Sequence, residues 1–213
     1  MSCKQLALTV DRLLICGVYE TYFKLVLATG LRRGEACGLK WSDINWCKRT
    51  IHVQRGVVKL SHQESITKGP KTTSGDRMVY LSKEMCQLLK AWRKECEWNR
   101  QQTANETVSE DDYLFRQPNG KPMNPSTFTF RFKKILKQNG LPTDLNLHSL
   151  RHTSATLLLY GGVNIKQVQE RLGHGDITTT NKYLHYISEA DEQAANVLQD
   201  MLITHKTKDK KKA

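Results

Sequence analysis

No stretch of this 213-residue sequence approaches the roughly 18 consecutive apolar residues that a membrane-spanning helix needs. The N-terminus has neither the apolar core nor the small-residue cleavage site of a secretory signal. These two absences predict a soluble, cytoplasmic protein. The six cysteines (Cys3, Cys16, Cys37, Cys47, Cys86 and Cys96) include no C-x-x-C pair and no Cys/His grouping at zinc spacing. Reduced, packing thiols are therefore expected rather than a disulfide framework or a structural metal. Acidic residues are also scarce: 21 Asp and Glu stand against 33 Lys and Arg, a formal net charge of +12. Such an excess favours a polyanionic partner, either nucleic acid or an acidic membrane surface. No internal repeat is present, and the length suits one ordinary domain with its own core.

The periodicities predict a mainly α chain carrying a small antiparallel β-sheet, an α+β fold. "VYETYFKLVLATG" has helical spacing that stops at Gly30, and "RRGEACGLKW" reads as a second short helix. Between Ile44 and Leu81 the character changes. "TIHVQRGVVKL" and "RMVYL" are rich in β-branched residues and flank the polar turn "SHQESITKGPKTTSGD". "SKEMCQLLKAWRKECEWNRQ", capped by Ser82, should form a long surface helix on which Trp92 and Trp98 serve packing. After the short extended "YLF", "NPSTFTFRFKKILKQNG" opens on a proline behind Asn124 and closes at Gly140. Further helical segments follow, the last of them "EADEQAANVLQDML", before the basic tail "THKTKDKKKA".

The segment "LNLHSLRHTSATLLLYGG" places His148, Arg151 and His152 at the start of an apolar helix, where negative charge is normally preferred. The first N–H groups of a helix lack intrahelical partners, so the arrangement reads as a site for a bound phosphate. Other segments share the same chemical vocabulary. They are Arg32 in "TGLRRGE", Lys71 in "GPKTTSGD", His174 in "RLGHGD" and Tyr183 in "TTTNKYLHY".

In this order, with a tyrosine nine positions after His174, the motifs resemble those of the tyrosine recombinases, or phage integrase family. The wording is closest to the integrases of conjugative transposons. The resemblance runs from about Val18 to Ile187 and implies the tyrosine recombinase catalytic-domain fold. It further implies cleavage and rejoining of DNA strands through a 3′-phosphotyrosyl intermediate, in the integration and excision of a mobile element, with no cofactor and no metal.

What the resemblance implies for each residue fits the needs of phosphodiester chemistry. Tyr183 resembles the nucleophile; with a free pKa near 10, only about one phenol in a thousand is ionised at neutral pH, so it needs assistance. Arg32 and Arg151 resemble the two arginines whose planar forks hold phosphate oxygens, a geometry lysine does not reproduce. Lys71 resembles the general acid for the leaving 5′-oxygen, with Lys68 as rival. His148 and His174 resemble the two imidazole positions, one assisting the tyrosine proton and one binding phosphate, in an order the sequence leaves open. Glu35 resembles the acidic residue that braces the first arginine.

Plainer readings apply to the neighbours. Arg33 reads as a solvated charge and His152 as a packing or supporting residue. Tyr186 competes with Tyr183, but the spacing from His174 favours the latter. His148 and His152 have the i, i+4 spacing of zinc ligands, yet Ser149 stands where a metalloprotease helix carries glutamate.

Residues 1–200 are thus expected to form the catalytic domain and 201–213 a basic tail. No core-binding or arm-binding domain precedes the motifs, so a fragment or a minimal enzyme is expected. The implied partners are double-stranded DNA and further copies of the chain: a tetramer in the synapse that exchanges C-terminal segments, in the bacterial cytoplasm. The alternatives are type IB topoisomerase-like strand passage and a noncatalytic DNA-binding module.

Overall fold

The computed structural model describes residues 17–59, 65–69 and 75–173. Lys71, His174, Tyr183, Tyr186 and the expected C-terminal helix and tail lie outside the described residues. The elements run α1 (Val18–Thr29), α2 (Arg33–Gly38), a 3-10 turn (Trp41–Asp43), β1 (Ile44–Asn45), β2 (Thr50–Val53), β3 (Gly56–Lys59), β4 (Ser65–Lys68) and β5 (Arg77–Tyr80). They continue with α3 (Lys83–Ala104), α4 (Pro125–Gln138), α5 (Leu147–Tyr160) and α6 (Ile165–Leu172). Among the described residues no helix is long and apolar enough to cross a membrane.

The helix boundaries follow the capping chemistry read from the sequence. Ser82 Oγ accepts from Met85 N at 3.1 Å to open α3, and Asn124 Oδ1 accepts from Ser126 N at 2.9 Å to open α4 behind Pro125. On α3, Trp92 Nε1 donates to Leu114 O at 2.9 Å, whereas Trp98 is exposed. The segment "YLF" forms no strand of its own; Tyr113 makes a single antiparallel bridge to Lys40.

The β region departs from the expected single sheet. Its long first segment breaks at Gln54 and Arg55, which both turn to the buried Asp43: Gln54 Nε2 donates to Oδ1 at 2.8 Å and Arg55 to Oδ2 at 2.5 Å. Satisfying that carboxylate interrupts the strand. β2 then joins the three-stranded sheet β1-β2-β5, while β3 pairs with β4, a strand lying inside the segment expected to be a turn.

An aromatic cluster joins the first helix to the fourth. Tyr22 stacks on Phe128 with ring centroids 3.6 Å apart, and Phe23 meets Phe132 at 5.4 Å. The Tyr22 hydroxyl donates to Arg33 O at 3.0 Å, so the core fixes the backbone at the start of α2, next to Arg32. Two glycines allow the close approaches around this segment. Gly34 brings α2 so near β3 that a Cβ would lie 2.5 Å from Val57 O. Gly30 ends α1 at φ +70°, where an added Cβ would fall 2.3 Å from Leu172 Cδ2.

Gly30→Ala combines a left-handed backbone, unfavourable by about 1–2 kcal/mol for an L-residue, with an overlap costing about 1–3 kcal/mol. The variant should lower the urea midpoint by the equivalent of about 2–5 kcal/mol; an unchanged midpoint would contradict this packing of α1 on α6.

Candidate active site

Arg32, His148 and Arg151 line one cavity of about 310 Å³, between the α1–α2 turn, Thr129 of α4 and the start of α5. Larger clefts of about 570 and 560 Å³ contain none of these three residues. Arg33 lines the same cavity, so the residue read from sequence as a solvated charge stands at its rim.

The α5 terminus differs from the expected anion cradle. Asn146 Oδ1 accepts from His148 N at 2.8 Å and Ser149 N at 3.3 Å, and Ser149 Oγ accepts from Asn146 N at 3.1 Å. This capping box already occupies the amides of His148 and Ser149. The positive charge at the cavity therefore comes chiefly from the side chains of Arg32, Arg33 and Arg151.

Arg151 is only 1% exposed, although it lines the cavity. Its two amino nitrogens donate to Gly30 O at 2.6 Å and Leu172 O at 2.7 Å. A buried guanidinium loses hydration and requires such acceptors. Arg32 is far more open, its side chain 45% exposed. One amino nitrogen donates to Glu35 Oε1 at 2.6 Å and the other to Gly173 O at 2.7 Å. Glu35 Oε2 also accepts from the Arg32 backbone N–H at 2.9 Å.

The sequence reading missed Arg77. It donates to Glu35 Oε2 at 2.9 Å and Oε1 at 3.3 Å, and its Nε donates to Arg171 O at 2.8 Å. Its only sequence signal is a charge at the head of a strand whose Val79 is buried in the core.

These contacts account for the end of α6. Gly173, left-handed at φ 68°, turns its N–H back to Gln169 O and Glu170 O. The next three carbonyls, of Arg171, Leu172 and Gly173, accept from Arg77, Arg151 and Arg32 respectively. Cations suit this negative end of the helix dipole. The chain leaves this clamp directly before His174.

Electrostatics separate the titratable groups. Burial alone would raise the Glu35 carboxyl, but hydrogen bonding and charge from Arg77, then the backbone and charge of Arg32, hold it below the usual carboxylate range. His148 is pushed below the ordinary imidazole value by burial first, then by the positive surroundings of His152, Arg151 and Arg32. The rings of His148 and His152 meet edge to face with centroids 4.8 Å apart. Among the described residues no group of three or more His, Cys, Asp or Glu is placed to hold a metal. Cys37 is buried with its thiol pushed up to about 12, so it is an inert packing group.

The profile described as the Phage integrase family matches residues 9–189. A tyrosine recombinase XerC-like protein of Caldanaerobacter subterraneus subsp. tengcongensis is 33% identical over 195 residues, spanning 86% of this chain and 50% of the relative. The ICEBs1 integrase of Bacillus subtilis is 32% identical over 189 residues, spanning 87% of this chain and 50% of that protein. The chain thus spans about half the length of the curated relatives it matches. In structure it is similar to the Tn1549 transposon integrase in complex with transposon right end DNA. The TM-score is 0.71 and the identity 26%, over 86% of this chain and 60% of the other.

His148 should be neutral at pH 7 and titrate below a free imidazole. Its depressed native pKa means that the unfolded chain binds more protons as pH falls below about 6.5. The stability present above that value is lost on acidification. An NMR titration of the His148 ring checks this, and His152→Asn should move its midpoint upward; a wild-type midpoint at or above that of free histidine would contradict the assignment.

Proposed function

The chain belongs to the phage integrase family, and from that premise we propose that it carries the catalytic site of a tyrosine recombinase. In this reading it cleaves and rejoins DNA strands during the integration and excision of a mobile element, in the bacterial cytoplasm. The observation that carries the reading is the meeting of Arg32, Arg151 and His148, from well-separated segments, around one cavity. The matched relatives carry recombinase and integrase names, which favours recombination over topoisomerase-like relaxation.

The phenol oxygen of Tyr183 attacks the scissile phosphorus, forming a P–O bond as the bond to the 5′-oxygen breaks. Its proton passes to an imidazole, for which neutral His148 is suited, and Lys71 protonates the departing 5′-oxygen. Negative charge growing on the nonbridging oxygens is met by Arg32 and Arg151. In the second step a 5′-hydroxyl attacks the phosphotyrosine and releases Tyr183. The two transesterifications are isoenergetic in bond type, and the guanidinium groups supply the charge that a divalent cation supplies elsewhere. His174 completes the phosphate contacts. By the family resemblance four copies gather in the synapse and exchange C-terminal segments.

The surface beside the cavity suits a duplex. α4 contains no acidic residue but carries Arg131, Lys133, Lys134 and Lys137, and Thr129 of this helix lines the cavity. Its exposed face presents Lys134 and Lys137 together with Phe130, 75% exposed. Phosphate contacts from such a face favour tight, salt-sensitive binding.

A nicked suicide duplex should yield a denaturant-resistant protein–DNA adduct, unaffected by EDTA and abolished by Tyr183→Phe. An adduct in Tyr183→Phe would refute the nucleophile, and loss with EDTA would refute the metal-free route. Arg32→Lys should cut the cleavage rate by about 10²–10³-fold with little loss of stability, whereas Arg151→Lys should lower both rate and melting temperature. Replacing Lys134 and Lys137 by glutamine should reduce the slope of log affinity against log salt by about two.

A further inference from the structure

We propose that Arg77 is a positioning residue for the phosphate cavity, holding Glu35 so that the Arg32 guanidinium keeps both its place and its uncompensated positive charge. The inference rests on reading the cavity as the scissile-phosphate site.

The three side chains form a chain of contacts. Arg77 is 7% exposed and holds both oxygens of Glu35, at 2.9 and 3.3 Å. Glu35 in turn accepts from the Arg32 side chain at 2.6 Å and from its backbone N–H at 2.9 Å. Two cations and one anion sum to a single positive charge. Without Arg77, Glu35 and Arg32 would form a closed, neutral pair, and an entering phosphate would have to compete with the carboxylate for the guanidinium. With Arg77 present, the carboxylate is already neutralised from its buried side. Arg32, 45% exposed, then remains a net cation at the cavity.

The sheet alone does not call for this charge. Arg77 faces Val53 across the β2–β5 ladder, and Val53 and Val79 are both buried. An apolar side chain would suit that ladder position, so the charge answers to Glu35 and to Arg171 O rather than to the sheet, and removing Arg77 alone should also cost stability because it leaves a buried carboxylate with one cation fewer. The donors of Arg77 also reach beyond Glu35. Its Nε holds Arg171 O at 2.8 Å at the end of α6, and an amino nitrogen donates to Gly75 O at 3.3 Å. Asp76, the next residue, pairs with His52 at 2.7 Å. Residues 75–77 therefore tie the far end of the segment that carries Lys71 to the carboxylate bracing Arg32.

The test compares strand cleavage of two nicked suicide duplexes, one with an ordinary scissile phosphodiester and one with a neutral methylphosphonate there. Arg77→Met keeps the packing of the side-chain stem and removes the charge; Arg77→Lys keeps the charge and removes the fork. On the phosphodiester, Arg77→Met should lose about 10²-fold in rate, as for other preorganised charge donors, and Arg77→Lys should recover part of it. On the methylphosphonate, where less anionic charge needs compensation, the loss in Arg77→Met should shrink at least tenfold. Equal losses on the two substrates, or a wild-type rate in Arg77→Met, would overturn the proposal, the first by showing a merely structural role.

A wild-type chain that cleaves neither duplex would refute the recombinase chemistry, leaving the brace to be judged without DNA. Carboxyl NMR of Glu35 should then show its titration rising in Arg77→Met and staying low in Arg77→Lys. A midpoint unmoved by Arg77→Met would overturn it.

Discussion

The end of α6 is held by three guanidinium groups, and the geometry of the cavity depends on that clamp. A helix of eight residues has little stability of its own. Its terminal carbonyls need donors, and those donors arrive from the α1–α2 turn, the head of β5 and α5. Bringing the three arginines to adjacent carbonyls forces those elements together. Arg171 adds to the same junction by donating to Ala28 O and Tyr80 O, at the ends of α1 and β5. The point where the chain departs toward His174 is thereby fixed relative to Arg32 and Arg151.

The same side chains serve structure and chemistry, which divides the consequences of changing them. Arg151 is buried against Gly30 and Leu172 carbonyls, so its loss strands acceptors in the core as well as removing charge from the cavity. Arg32 is open to solvent on one side and braced on the other, so its role falls more on charge than on stability. Glu35 is shared between Arg32 and Arg77, and its ionisation is secured by both. Burial first, and then this positive potential, explain why His148 gives up its proton readily.

Much of this was legible in the residues. The helix that ends at Gly30 and those that begin after Ser82 and Asn124 lie where capping chemistry placed them, because those signals are local. Arg32, His148 and Arg151 were found through motif wording, and they share a cavity. What escaped was set by contacts distant in sequence. The split of the β region follows from the demand of Asp43 on Gln54 and Arg55, which no local pattern announces. The amides of α5 were expected to meet an anion, yet Asn146 had already satisfied two of them. Arg77 carries no motif, and its importance appears only where Glu35 and the α6 carboxyl-terminal carbonyls meet. Lys71, His174 and Tyr183 lie outside the described residues, and their roles remain part of the proposal.

A crystal structure of the chain with a duplex bearing its cleavage site tests the central claim most directly. The account predicts one backbone phosphate in the cavity, its nonbridging oxygens within hydrogen-bond reach of Arg32 and Arg151, while Arg77, Arg151 and Arg32 still hold the carbonyls of residues 171–173. A duplex bound elsewhere on the basic surface, with no phosphate between those two guanidinium groups, would contradict it.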